Sequence, residues 1–470
     1  MASMDFNAAV VLGPMVRVTT HPMRLLALQY GATYVYTEEI IDFKLLRTIR
    51  VENAKLRTTD FVHPDGTVVF RTSAEEKGKV ILQLGTADAK RALQAAKHVE
   101  KDVAGIDVNM GCPKEYSIKG GMGAALLKKP EVVREILTTL VNNLSIPVTC
   151  KIRILDSLED TLALAKVIES TGVAALGVHG RRRCDRPSDP NREDVIRAIA
   201  GAIKTPVLAG GGSKSIIRLH EDIEFFRQLT GAAGVMISRA AMWNPAIFAE
   251  PPQDRQLPTK LQLLQEYIEL AVKYDHHITG TKYCLQRMLN EDTTTERYEK
   301  TLMAARMTEV CEIWGLSEEV CQLAKQCTDD RVLVSLPTAT HATSEEPSMS
   351  ETKRLRLGEL SAEGNCVRAA TSSDAAVVLP IGFVRSDWPD DGETPKQLLV
   401  EYCKKKQLDL PTYIVVENKE TRTFTATALV DGRRYSHTIP SKSKRYAEQA
   451  AAQACLEHLG VRLLPQKSTA

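Results

Sequence analysis

From Asp107 to Leu127 the chain reads DVNMGCPKEYSIKGGMGAALL, an apolar run that stops at Asn109, Met110, Gly111, Cys112 and Pro113 before a glycine-rich turn. Pro113 has no N–H to give to a strand ladder, and Gly111 frees the backbone on the other side, so the Cys112 sulfur is expected just past a strand end. Two readings of that thiol stay open on the pentapeptide alone. It is a group that acts on a substrate, or it is a small buried hydrophobe, which is what most free cysteines are.

Working outward, runs of the same kind recur: VVLGP from Val10, YVYTE from Tyr34, VILQLG from Val80, GIDVNMG from Gly105, VTCKIR from Val148, AALGVHG from Ala174, PVLAGGG from Pro206 and GVMISRA from Gly234. Parallel strands covered on both faces read as continuous apolar runs, and helical patterns between them supply the crossovers. Eight such units between Val10 and about Phe248 predict a (β/α)8 TIM barrel, with a doubly wound sheet as the alternative. The barrel is favoured because every run ends in polar residues or glycine, as expected where strand ends open onto one catalytic face. Ile40 to Lys79 is a long insertion between the second and third units.

A chain of 470 residues exceeds what one hydrophobic core usually supports. With 43% hydrophobic and 26% charged residues and no apolar run long enough for a bilayer, it reads as a globular protein without a membrane partner. The N-terminus carries no basic segment followed by an apolar core, so a cytoplasmic location is expected. Ten cysteines run from Cys112 to Cys455 with no C-x-x-C pair, which supports neither a zinc site nor a disulfide framework; no metal is expected. The net charge of +2 conceals an asymmetry, with 13 Lys+Arg against 8 Asp+Glu from Glu393 to Ala470.

From Pro258 to about Ala324 strand signals vanish, and Leu261, Leu264, Ile268 and Val272 recur at helical spacing. Residues 329–375 are rich in Ser, Thr, Glu and Pro without periodicity and read as a disordered linker. The cluster Lys353, Arg354 and Arg356 within it reads as a solvated charge run, although it would allow a nuclear fraction. Beyond it the order is α-β-β-β-α: a helix over Thr394–Lys406, strands over Tyr413–Val416, Phe424–Val430 and Arg433–Ile439, and a helix over Ser443–Leu459. Ser443 is the expected N-cap of the last helix, and alanines 447, 450, 451 and 452 line a face suited to close packing on a sheet.

Four motifs in order, Pro14-Met15, Asn109 to Pro113, Lys151-x-Arg153 and His179 to Arg181, resemble the signatures of the flavin-dependent tRNA-dihydrouridine synthases. With a helical region and a C-terminal double-stranded-RNA-binding domain, the chain is similar to the eukaryotic branch that acts on uridine 20 of the tRNA D-loop. The implied domains are a catalytic barrel over 1–250, a helical domain over 258–328, the linker, an RNA-binding domain with an N-terminal extension over 376–463, and a tail over 464–470. A reductase of free pyrimidines and a non-catalytic double-stranded-RNA-binding regulator are the alternatives. tRNA is the expected partner; DNA is not.

Reducing the C5–C6 bond of uracil needs hydride at C6 and a proton at C5, and no side chain delivers hydride, so a redox cofactor is required. The resemblance implies FMN, reduced by NADPH. A thiol of ordinary pKa, roughly 8.5, is mostly protonated at neutral pH, which suits Cys112 to the role of general acid. Asn109 could fix the uracil edge or merely stabilise the turn. By resemblance, Gln83 and Lys151 contact the isoalloxazine ring, the lysine stabilising the anionic reduced form, and Pro14, Met15 and Val16 lie along it. Gly210, Gly211 and Gly212 with Ser238 and Arg239 offer a phosphate site; His179 joins it by resemblance to the family's histidine near the phosphate, with a core histidine as the alternative, and Gly210 departs from the family's usual Asn. Arg153 and Arg181 are expected to bind the substrate, with Arg182 and Arg183 on the same face. In the C-terminal domain Lys442, Lys444 and Arg445 at a helix N-terminus should meet RNA phosphate, with Lys396 and Arg385 assisting and Gln397 and Glu401 as minor-groove probes.

Overall fold

The computed structural model describes residues 4–250, 257–290, 295–329, 377–383, 394–418, 423–441 and 443–461. It falls into two compact units, Met1–Ala342 and Thr343–Ala470. Of the predicted linker over 329–375 only Asp329 is described, as the end of a helix; the rest, with Lys353, Arg354 and Arg356, and the tail lie outside the described residues, as do Arg385 and Lys442.

In the first unit each of the eight apolar runs forms a strand: β1 (Val10–Leu12), β2 (Tyr34–Tyr36), β3 (Val80–Gly85), β4 (Gly105–Met110), β5 (Val148–Arg153), β6 (Ala175–His179), β7 (Val207–Gly210) and β8 (Gly234–Ile237). They pair in parallel around a ring that closes through β8–β1 and β2–β3. A doubly wound sheet would leave two open edges, so closure excludes that alternative. Every residue of β3, β4, β7 and β8 is buried, which is why these strands read as unbroken apolar runs. The interior is plugged by Val11, Tyr36, Ile81, Ala175, Leu208 and Met236, while helices cover the outside. Helix Ala89–Val99 is typical: Asp88 caps it by accepting from the Arg91 N–H at 2.8 Å, and Ala92, Ala95, Ala96 and Val99 turn inward.

The insertion after β2 is a small subdomain. Ile40–Ile41 extends the pairing along β3, and three antiparallel strands follow, Ile49–Asn53, Thr58–Val62 and Val68–Ser73. Buried Arg24 anchors the segment to the first barrel helix by two bonds to Glu76, at 2.8 and 2.6 Å. The five helices Lys260–Lys273, Ile278–Leu289, Glu296–Met303, Met307–Trp314 and Glu318–Asp329 share one hydrophobic cluster with the barrel. Tyr267, Ile268 and Leu285 are buried in it, so this helical region is continuous with the barrel core.

The second unit has the predicted α-β-β-β-α order: helix Pro395–Lys405, antiparallel strands Thr412–Asn418, Thr423–Val430 and Arg433–His437, and helix Lys444–His458. Ser443 accepts from the Tyr446 N–H at 3.2 Å as the cap, and alanines 447, 450, 451 and 452 are fully buried. A strand absent from the sequence reading, Val377–Leu379, adds in parallel to Arg433–His437. The extension therefore covers what would be an open sheet edge.

Candidate active site

Parallel pairing brings the predicted residues to one rim. Asn109 lies opposite Lys151, Arg153 opposite His179, and His179 opposite Gly210. Cys112 follows β4 and is half-buried, between the two placements the pentapeptide allowed.

The turn carrying Cys112 is held from below by a polar chain. Asp107, fully enclosed within the barrel, accepts from Gln83 Nε2 at 2.7 Å and Thr149 Oγ1 at 2.7 Å. Gln83 Oε1 then faces Asn109 Nδ2 at 3.3 Å, which turns Asn109 Oδ1 toward the N–H groups of Gly111 (2.9 Å) and Cys112 (3.1 Å). A carboxylate only accepts, so each link sets the orientation of the next. Burial pushes the Asp107 carboxyl up to about 6, against its hydrogen bonds and the nearby Lys151. Asn109 thus spends its carbonyl on the turn, and Gln83 spends one N–H and one lone pair on its neighbours. The reading of Asn109 as a turn-stabilising residue is realised; what it retains for a substrate is one amide N–H.

A crowd of cations stands beside this chain. Burial pulls the Lys151 ammonium down to about 8, with Arg153 adding repulsion. His179 is held well below its usual value by burial, then by Lys151, Arg153, Arg181 and Arg239, so it is neutral at pH 7. Its Nε2 lies 3.2 Å from Arg181 Nη1 and accepts from it, leaving Nδ1–H as a donor. Arg153 and Arg239 are also pulled down, first by burial. A pocket is lined by Lys151, His179, Gly210, Gly211, Ser213, Met236, Ser238 and Arg239. Gly211 has φ +106°, and a Cβ there would fall 2.0 Å from Asn191 Oδ1, so only glycine fits this wall. Cations that oppose one another in a half-buried pocket form the donor set of an anion.

Pro14, Met15 and Val16 form a lip after β1, with the Met15 N–H bonded to Thr19 Oγ1 at 3.1 Å and Val16 exposed. Gly212 packs against Phe226. The expected substrate contact of Arg181 gives way to another role. It is 3% exposed, donates to the carbonyls of Asp189 (2.7 Å) and Gly211 (2.9 Å), and clamps the pocket wall. Arg153 also holds backbone, through the carbonyls of Gly111 and Arg182 at 3.0 Å each, but keeps a half-buried position on the rim. Arg182 pairs with Asp185, and Arg183 is exposed.

In the second unit Lys444 and Arg445 are exposed at the helix N-terminus. Lys396 is engaged internally, bonded to Glu448 at 2.5 Å with its ammonium over the Tyr413 ring, so it staples the two helices and is a poorer RNA ligand than expected. Gln397 Oε1 accepts from Thr394 at 2.8 Å in a capping box, which occupies that oxygen. Sequence reading missed Asp107, Thr149 and Asn191. Asp107 had a signal, a lone carboxylate inside an apolar strand; the others come together only through the fold.

Residues 11–310 match the family described as Dihydrouridine synthase (Dus). The chain belongs to the dihydrouridine synthase family. Residues 395–459 match the double-stranded RNA binding motif. It is 37% identical over 298 residues to the tRNA-dihydrouridine(20) synthase [NAD(P)+] of Schizosaccharomyces pombe, covering 62% of this chain and 61% of that one. To the Saccharomyces cerevisiae protein of the same name it is 39% identical over 301 residues, covering 60% and 78%. The crystallised RNA-binding domain of a tRNA-dihydrouridine(20) synthase is 34% identical over 19% of this chain and 93% of that one, with a TM-score of 0.18.

Proposed function

We propose that this protein reduces a uridine of the tRNA D-loop, at position 20, to 5,6-dihydrouridine, with Cys112 giving the proton to C5. The observation that carries the reading is the placement of a half-buried thiol on a locked turn beside a cation-lined pocket, in a chain that also holds a double-stranded RNA binding motif. Hydride for C6 would come from FMN when bound and reduced by NAD(P)H. Lys151, His179, Arg239, Ser238 and the Gly210–Gly212 turn would hold it, with the lip of Pro14, Met15 and Val16 along its ring.

The protein's own residues do the rest. Burial pushes the Cys112 thiol above its ordinary value, so it stays protonated at neutral pH, as a general acid must. Asn109 fixes the Cys112 backbone from one side, and Arg153 holds the Gly111 carbonyl from the other. Arg153 also lies at the rim where the flank of an extruded nucleotide would arrive. Extruding a uridine costs a few kcal/mol, which RNA contacts elsewhere must offset; Lys444 and Arg445 are suited to that task. The test is turnover of the FMN-reconstituted protein with NADPH on unmodified tRNA and on free uridine. Dihydrouridine in tRNA supports the proposal; turnover on free uracil or uridine alone would replace it with the pyrimidine reductase.

A further inference from the structure

The lip after β1 carries a residue that the reduction chemistry does not use. Arg17 has φ +67°, in the left-handed region that a side chain with a Cβ enters only at a cost, so glycine would be the easier choice there. The backbone is bolted in this conformation from two sides. Its N–H donates to Glu38 Oε2 at 2.8 Å, and its carbonyl accepts from the Cys284 thiol at 3.2 Å, which ties the lip to helix Ile278–Leu289.

The exposed Arg17 side chain meets a ring of that same helix. Its guanidinium carbon lies 5.8 Å from the Tyr283 ring centroid, and that of exposed Arg287, one turn further along, lies 4.8 Å from it. Two like charges thus share one aromatic ring, held by its π faces against their mutual repulsion. Among the described residues no carboxylate pairs with either guanidinium and no hydrogen bond occupies it. Both N–H forks are left for an oxyanion, and a guanidinium fork matches phosphate oxygens two at a time.

We propose that Arg17 and Arg287, laid over Tyr283, hold a backbone phosphate of the tRNA beside the extruded uridine. The inference rests on the reading of the protein as a tRNA reductase and adds an RNA contact on the unit that holds Cys112. Position supports it: Arg17 follows Pro14, Met15 and Val16 at the strand ends where the target base must arrive. The phosphates of NADPH are a second source of the same chemistry. A small cofactor, however, is enclosed by a pocket, whereas an exposed pair of arginines suits a polymer held by many separate contacts.

The experiment is tRNA affinity of the full-length, FMN-loaded protein, measured by fluorescence anisotropy from about 50 to 200 mM KCl. Each phosphate contact releases counterions, so the slope of log affinity against log salt should lose about one unit in Arg17→Gly and about one in Arg287→Gln. Arg17→Gly fits the left-handed backbone and so removes the side chain without straining the fold. Lys97→Gln, which removes a cation paired with Glu100 at 2.8 Å on an outer barrel helix, should leave the slope in place. A slope unchanged in either variant overturns the inference, and a raised KM for NADPH in its stead would give the site to that cofactor's phosphates. Binding is read without turnover. Native affinity with unchanged slopes therefore refutes the clamp alone, whereas a native protein without affinity for tRNA would refute the tRNA reading as well.

Discussion

Replacing Asp107 by Asn tests the polar chain beneath Cys112, because two effects of opposite sign can be set against each other. The buried carboxyl titrates at about 6 in the fold, above its ordinary 3.8. A carboxyl raised on folding binds its proton more tightly in the native state, so native stability falls as pH rises from about 4 through about 6. At about 1.4 kcal/mol per pH unit, ionised Asp107 costs the fold roughly 3 kcal/mol above that window and nothing below it. The Asp107→Asn protein is spared that cost, but its amide replaces one of two accepting oxygens by a donor, set against either Gln83 Nε2 or the Thr149 hydroxyl, a loss of about 1–3 kcal/mol. The variant should therefore be close to native stability near neutral pH and less stable at about pH 4. Activity should behave differently. If Gln83 rotates to satisfy the new amide, it turns its own N–H groups on Asn109 Nδ2, and Asn109 Oδ1 is drawn from the Gly111 and Cys112 N–H groups. Misplacing the acid in this way should slow tRNA reduction about tenfold or more. Urea unfolding at the two pH values and single-turnover reduction are the assays. A variant of native stability and native rate would refute the claim that this chain positions Cys112, and a pH-independent stability difference would refute the buried ionised carboxylate.

Other perturbations probe separate parts of the account. Cys112→Ala should keep flavin binding and NADPH oxidation but lose most dihydrouridine formation, as read by nucleoside mass spectrometry. Gly211→Ala, which drives a Cβ into Asn191 at a positive φ, should weaken FMN retention in a gel-filtered sample by about tenfold, a cost near 1.4 kcal/mol. Lys444→Glu with Arg445→Glu should cut tRNA affinity by about tenfold at moderate salt and flatten its salt dependence, with flavin absorbance unchanged. Deleting residues 376–470 should likewise lose tRNA affinity and retain flavin.

Much of this was legible in the chain because strands buried on both faces, such as VILQLG and VTCKIR, leave a continuous apolar record that ends where the rim begins. The RNA-binding domain was legible through its caps and alanines. Val377–Leu379 was not, since three residues carry no period and its pairing partner lies about 60 residues away. The antiparallel sheet of the insertion was hidden for a related reason: Ile49–Asn53 is largely exposed, and its alternation of Ile49 and Val51 with Arg50 and Glu52 is too short to mark a strand. At the site, residue type announced Cys112, Lys151 and His179. It could not say that Arg181 would be buried as a clamp or that Lys396 would be held by Glu448.

The most direct test of the central claim is to map dihydrouridine in unmodified tRNA incubated with FMN-loaded native protein or Cys112→Ala and NADPH. The account predicts a gain of two hydrogens at one D-loop uridine, position 20, with native protein, and little or none with the variant. Reduction at that uridine by Cys112→Ala at the native single-turnover rate would contradict it, as would a native protein that leaves tRNA unchanged while reducing free uracil.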